Sequence, residues 1–336
     1  MQRVELRAAR ANRVFARIKG IRAASGIRAD GISSAQLRNV SRSGVLPESQ
    51  KTRMPDLDHT ERPMETTLTP VTISVAPNGA YKTKKDHPKL PMTAKELAET
   101  AAACRDAGAA MIHLHVRDHD GVHLLDEHAY RTATAAVTRT VGRNMVVQIT
   151  CEAGGRYNRH EQMAVVRAVV PEAVSIALRE IVPDAAAEGD AARFYAGLRN
   201  KGIFIQTILF TPEEVTRYYD LRERGVLGEG KDFLLFVLGR YTPGQLSVPA
   251  DLLPFLSVFR SDVPWAMCAF GRQEHACALA AAALGGHVRV GFENNLHTSD
   301  GSVATDNSVL VRQAADGARF LARPLGSAQD LRELYS

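Results

Sequence analysis

The stretch Ala109-Ala-Met-Ile-His-Leu-His-Val-Arg-Asp118 opens apolar and closes polar. A parallel strand covered on both faces is a near-continuous apolar run, so Ala109–Ile112 predict a buried strand that stops where the polar residues begin. Alternate residues of a strand face one side, which points His113 and His115 the same way, about 6–7 Å apart along the chain. Two neutral imidazoles converging at a strand end are half of a zinc or iron site. Hydrogen-bonded core histidines are the alternative.

Working outward, the same rhythm recurs from residue 71 on. Apolar runs at Val71–Ala76, Ala110–Val116, Met145–Thr150, Ala173–Leu178, Ile203–Leu209, Phe233–Leu238, Trp265–Phe270 and His287–Phe292 alternate with amphipathic stretches of helix length. The first of these stretches, Thr93–Asp106, starts with a capping box, Thr93 and Glu96. Eight strand–helix units over about 250 residues predict an α/β protein, a (β/α)8 TIM barrel. A doubly wound open sheet would carry G-x-G-x-x-G after its first strand, where this chain has Pro77-Asn78-Gly79-Ala80.

Bulk properties narrow the class. The chain has 336 residues, 45% of them hydrophobic and 24% charged, and no apolar run approaches the roughly eighteen residues of a membrane span. Cys104, Cys151, Cys268 and Cys277 lack C-x-x-C spacing and read as reduced thiols of a cytoplasmic protein. The net charge of +5 is concentrated at one end: residues 1–62 hold 13 Lys/Arg against 6 Asp/Glu, which leaves the rest at −2. That distribution gives no case for nucleic-acid binding. The division expected is an arginine-rich leader over 1–65 and one catalytic barrel over 66–336. The leader (Arg7, Arg10, Arg13, Arg17, Arg22, Arg28) lacks an apolar core, which excludes a secretory signal and resembles a transit peptide. A flexible tail, or residues upstream of the true start, is the favoured reading, since Met54 and Met64 precede the first strand.

Barrel chemistry sits at the C-terminal ends of strands and in the loops that follow. Strand eight ends in Arg289-Val-Gly-Phe-Glu-Asn294, and closure sets it beside strand one, one strand from His113 and His115. Glu293 could then complete a His₂Glu site with open positions, or be a salt-bridged loop carboxylate. Arg289 is expected to be paired, or to hold an anion at the site. Thr150 and Ser175 could meet a substrate carboxylate or carbonyl, or simply bond to backbone. His123, His128, His160, His275 and His287 have no matching spacing and read as packing.

Several segments together resemble the β-keto acid cleavage enzymes, the family that includes 3-keto-5-aminohexanoate cleavage enzyme. They are Ala76-Pro-Asn-Gly-Ala80, Leu90-Pro-Met-Thr93, Ala107-Gly-Ala109 leading into His113–Asp118, Phe236-Val-Leu-Gly239, and Gly285–Asn295. The resemblance spans about residues 71–325. It implies a zinc barrel that uses acetyl-CoA to cleave a β-keto acid into acetoacetate and a new acyl-CoA. By the family pattern His113, His115 and Glu293 hold zinc, and the metal acidifies the carbon between the keto and carboxylate groups. The carbanion attacks the thioester, CoA transfers within the adduct, and a retro-Claisen step releases acetoacetate. Arg289 matches the family's active-site arginine, and Thr150 and Ser175 match polar pocket positions. A homo-oligomer is implied as well.

Departures from the pattern shape the expected substrate. Asn294 stands where a well-known member has an aspartate that works with the arginine in proton abstraction, and an amide cannot take a proton. Either another group is the base, with Glu152 and Glu180 as loop candidates, or zinc and Arg289 lower the substrate's pKa enough for a weaker base. Tyr81 and Gln206 replace two carboxylates, which argues against an amino-keto substrate and for a neutral or anionic one, with Arg179 a clamp for a second carboxylate. Arg272, after strand seven, could meet a phosphate of the coenzyme, or be a helix-capping or surface arginine. Two rivals remain: a metal-dependent hydrolase of the amidohydrolase type, which needs more histidines and a strand-eight aspartate, and a metal-binding barrel without activity.

Overall fold

The computed structural model describes residues 69–335; the leader expected over 1–65 lies outside them. The apolar runs form eight parallel strands: β1 (Ile73–Val75), β2 (Met111–Leu114), β3 (Val146–Thr150), β4 (Ala173–Ala177), β5 (Phe204–Leu209), β6 (Phe233–Leu238), β7 (Trp265–Ala269) and β8 (His287–Val290). They pair in sequence order, and β1 pairs with both β2 and β8, so the sheet closes into a barrel. Between and after the strands run α1 (Ala94–Asp106), α2 (Glu127–Val141), α3 (Arg159–Val169), α4 (Glu188–Asn200), α5 (Pro212–Glu223), α6 (Leu253–Val258), α7 (Glu274–Ala283) and α8 (Asn307–Phe320). The fold is a TIM barrel. Thr93 and Glu96 cap α1 reciprocally, and Leu97, Ala98, Ala101 and Cys104 bury one face of that helix.

Strand alternation divides the core in two. Outward residues such as Ile112, Leu114, Val147, Ile149, Val174 and Ile176 pack under the helices. Inward residues Met111, Val146, Ala173, Phe204, Phe233, Leu235 and Ala266 fill the interior. A short last helix, α9 (Ala328–Glu333), adds Ala328 and Leu331 to that interior cluster, and Tyr335 stacks 3.5 Å from Phe204. Phe204 is 1% exposed, so truncating it to alanine would cost about 3–5 kcal/mol.

Above this apolar plug the inward positions turn polar: His113, Gln148, Ser175, Gln206 and Arg289 are all buried. Register carries the change around the barrel, with His113 opposite Gln148, Thr150 opposite Ser175, and Ser175 opposite Gln206. One element was not expected, a small hairpin after β2 pairing Val116–Arg117 with His123–Leu124. Its signal was present in the Asp120-Gly121 pair lying between Val116 and Val122. The four cysteines are free and buried, and among the described residues no helix is long and apolar enough to cross a membrane.

Candidate functional site

Glu293 reaches the site because the chain after β8 turns tightly against β1. At Gly291 a Cβ would lie 2.4 Å from the Ala76 carbonyl oxygen, so only glycine permits the approach. Past it, the Glu293 N–H donates to Ala76 O at 3.0 Å, Phe292 N–H to Asn307 Oδ1 at 2.8 Å, and Gly291 N–H to Glu274 Oε1 at 3.1 Å. The Lys82 ammonium donates to the Glu293 carbonyl at 2.7 Å. From the β2 side, Asn78 accepts the His115 N–H at 3.3 Å and donates to His115 O at 2.9 Å. Arg117 gathers the carbonyls of Gly79, Ala80 and Lys82. Both rims of the site are therefore fixed through backbone.

The result is a three-residue cluster. His113 Nε2 lies 3.1 Å from His115 Nε2, and Glu293 Oε2 lies 3.5 and 3.4 Å from the two nitrogens. A tetrahedral ion with bonds of about 2.0–2.1 Å needs ligand atoms about 3.3 Å apart. The three atoms meet that requirement, and among the described residues this is the His/Cys/Asp/Glu group compact enough to hold a metal.

Electrostatics agree with the distances. Burial lowers both histidines, His113 to about 4 and His115 to about 3, despite the Glu293 charge beside them. They are neutral at pH 7, and neutral imidazole is the ligating form. The His113 Nδ1–H donates to Gln148 Oε1 at 2.8 Å, which leaves the Nε2 lone pair for the cluster, and Gln148 in turn donates to Gln206 Oε1 at 3.2 Å. Such outer bonds set the tautomer of a ligating histidine. Glu293 is held well below the usual carboxylate range, the Arg289 cation and the histidines overcoming its burial. Arg289 Nη2 donates to Glu293 Oε1 at 3.0 Å and to Cys268 Sγ at 3.3 Å, the pairing expected of a buried cation. The other carboxylate oxygen, Oε2, is buried without a hydrogen-bond partner. An unpartnered buried oxygen facing two neutral imidazoles could hold a metal ion.

Two cavities open onto the cluster. The inner one, about 420 Å³, is lined by His113, Glu293, Arg289, Thr150, Ser175, Glu152 and Glu180 among its polar groups, with Ile208, Phe210, Val237 and Phe270 as apolar wall. An outer one, about 650 Å³, adds Asn78, Gly79, Tyr81 and Lys82. Glu152, Arg240, Phe270 and Glu293 belong to both. Ser175 Oγ and Arg289 Nε are buried without partners.

Other expected residues sit as follows. Gln206 lies behind the site and acts on it through Gln148. Tyr81 is exposed at the outer cavity, with Arg240 stacked 4.8 Å from its ring. Arg179 is tied to Glu214 and lies over Phe210 and Tyr241 rather than among the inner-cavity residues. Asn294 is buried with neither amide atom partnered, and it lines neither cavity. Arg272 is exposed and lines neither as well.

Sequence reasoning missed three contributors. Arg240, in the loop after β6, is shared by both cavities, and Lys82 lines the outer one. His123, assigned to packing, is buried with its ring 5.2 Å from His115, and its Nε2 lies 2.8 Å from the Glu152 carbonyl. It thereby ties the hairpin to the loop that carries Glu152. That carboxyl lies 3.9 Å from His115 Nε2. Burial, then the Glu293 charge, push it up to about 7 against the opposing pull of Arg240.

Comparison with known proteins follows the same lines. The chain is 27% identical over 269 residues to 3-keto-5-aminohexanoate cleavage enzyme of Acetoanaerobium sticklandii, covering 78% of this chain and 96% of that one. It is 25% identical over 273 residues to 3-oxoadipate:acetyl-CoA acetyltransferase of Cupriavidus necator, covering 79% and 94%. To 3-dehydrocarnitine:acetyl-CoA trimethylamine transferase of Rhizobium meliloti it is 28% identical over 297 residues, covering 78% and 95%. Among solved structures, the ternary complex of ObcA with a C4-CoA adduct and oxalate superposes with a TM-score of 0.59 at 16% identity, covering 74% of this chain and 67% of that one, a likeness of fold. The profile of the beta-keto acid cleavage enzymes matches residues 70–336, and the chain belongs to that family.

Proposed function

We propose that this enzyme exchanges the acyl part of a β-keto acid against acetyl-CoA, giving acetoacetate and a new acyl-CoA, at a zinc site made by His113, His115 and Glu293. The observation that carries the reading is the convergence of two neutral imidazole nitrogens and an unpartnered carboxylate oxygen at zinc spacing, on the wall of the inner cavity. Zinc held there would supply Lewis acidity that acidifies the keto acid's C2 carbon.

The chain's own groups account for the rest. Glu152 takes the C2 proton on its carboxylate, in place of the aspartate that Asn294 replaces. It lines the cavity beside His115, and its raised carboxyl suits proton transfer near neutral pH. Arg289 sets a fixed cation on the cavity wall, where negative charge develops on the keto acid. Thr150 lines the same cavity and accepts the Glu152 N–H at 3.0 Å, which orients that loop, while the free Ser175 hydroxyl is available to a substrate oxygen. Phe270 and Phe210 exclude water from the reacting carbons.

The test is zinc-loaded protein given acetyl-CoA and a panel of β-keto acids, with acyl-CoA products read by mass spectrometry. A second thioester with an equal amount of acetoacetate is expected. No new thioester from any acid would favour a binding protein, and free CoA with acetate a hydrolase. Metal analysis tests the ligand set separately: His113→Ala and Glu293→Ala should lose bound zinc, and full retention would refute it.

A further inference from the structure

We infer that Arg240 selects the substrate, holding an anionic group at the far end of the β-keto acid, so that the preferred substrates are keto dicarboxylates. This rests on the reading that the acid's C1–C3 end meets His113, His115 and Glu293. With that end placed, the tail is left to the remaining wall of the inner cavity. Ile208, Phe210, Val237 and Phe270 offer methylenes an apolar flank, and Arg240 offers a cation beside them.

Arg240 has hydrogen-bonding capacity to spare. A guanidinium carries five N–H donors in a planar fork. Here it donates to Glu152 Oε1 at 3.4 Å, a long bond. Otherwise its carbon lies 4.8, 5.4 and 5.6 Å from the ring centres of Tyr81, Phe270 and Tyr241. Ring faces orient the fork and leave its N–H edges unspent. Its side chain is 18% exposed, enough shelter for a charged hydrogen bond to count and enough access for a ligand to reach it.

Neighbouring charges are already engaged. Arg179 pairs with Glu214. Glu180, which a cationic tail would need, accepts the Ala153 N–H at 3.0 Å and the Gln162 amide at 2.5 Å. Arg240 also borders the outer cavity, so the anionic groups of the coenzyme are the competing occupants, and the test separates them.

Binding is measured by calorimetry on the zinc-loaded protein without acetyl-CoA, comparing 3-oxoadipate with 3-oxohexanoate, acids of equal length with and without a terminal carboxylate. Wild type should bind the dicarboxylate about 10–100-fold more tightly. Arg240→Gln should erase that ratio, and Arg240→Lys should keep part of it, each with its zinc content and melting temperature checked against wild type. Equal affinities in wild type, or an undiminished ratio in Arg240→Gln, overturn the inference. So does an Arg240→Gln variant that weakens acetyl-CoA while the ratio stays. No turnover is needed, so a protein that binds selectively but forms no thioester refutes the proposed activity and leaves this assignment standing.

Discussion

His113 Nδ1 lies 2.8 Å from Gln148 Oε1, across a register pair of β2 and β3. That bond decides which nitrogen of His113 faces Glu293. Gln148→Leu removes the acceptor without adding charge, and frees the ring to take the other tautomer. Zinc affinity should fall about 10–100-fold, read by competition with a chelator, and the melting temperature should drop as well, because His113 Nδ1–H and Gln206 Oε1 lose their buried partner. Unchanged affinity would mean that the tautomer is set elsewhere.

Glu152 gives a prediction with a sign. Its folded carboxyl sits near 7, raised first by burial and then by Glu293, so metal-free folded protein holds a proton that the unfolded chain releases above its ordinary range. The contribution to stability is present in full below about 4.5 and is lost as pH rises through 7. Glu152→Gln is neutral throughout, so its melting temperature should gain on wild type between pH 5 and pH 8, by about 2–6 °C for a stabilisation of about 1–2 kcal/mol. The same variant should lose about 10²–10⁴-fold in kcat. A variant that keeps its rate would remove Glu152 from the chemistry.

Gly79 faces Glu293 from the loop after β1. Its φ is +64°, and an added Cβ would stand 2.6 Å from Glu293 Cγ. The carboxylate is pinned by Arg289 and cannot step aside freely. Gly79→Ala should therefore cost about 1–2 kcal/mol and lower zinc occupancy as well, measured by urea denaturation and metal analysis. Stability lost with full zinc occupancy would show that Glu293 tolerates displacement.

How much of this could be read in the sequence follows from what each feature depends on. The eight strands were legible because parallel barrel strands are buried on both faces and appear as apolar runs with clear ends. His113, His115 and Glu293 were legible because they stand at strand ends, where closure of the barrel alone brings β8 within one strand of β2. Arg240 was not, because its place at both cavities depends on the path of the loop after β6, which no periodicity encodes. Arg179 was offered as the clamp from charge alone. Its engagement by Glu214, 35 residues away in the first turn of α5, is a tertiary fact. His123 was hidden for the same reason, since a hairpin returns it to His115.

The leader has its own test. The family match begins at residue 70, and the division expected at residue 65 predicts that a chain starting at Met64 folds with the melting temperature and turnover of the full one. A clear loss of stability would make the first 63 residues part of the folded enzyme.

The most direct measurement follows the acetyl group. With [1,2-¹³C]acetyl-CoA, unlabelled β-keto acid and zinc-loaded protein, both labelled carbons should appear in acetoacetate as C3 and C4, and the new acyl-CoA should carry none. Label recovered only as acetate, or remaining in acetyl-CoA, would contradict acyl exchange at the His113–His115–Glu293 site.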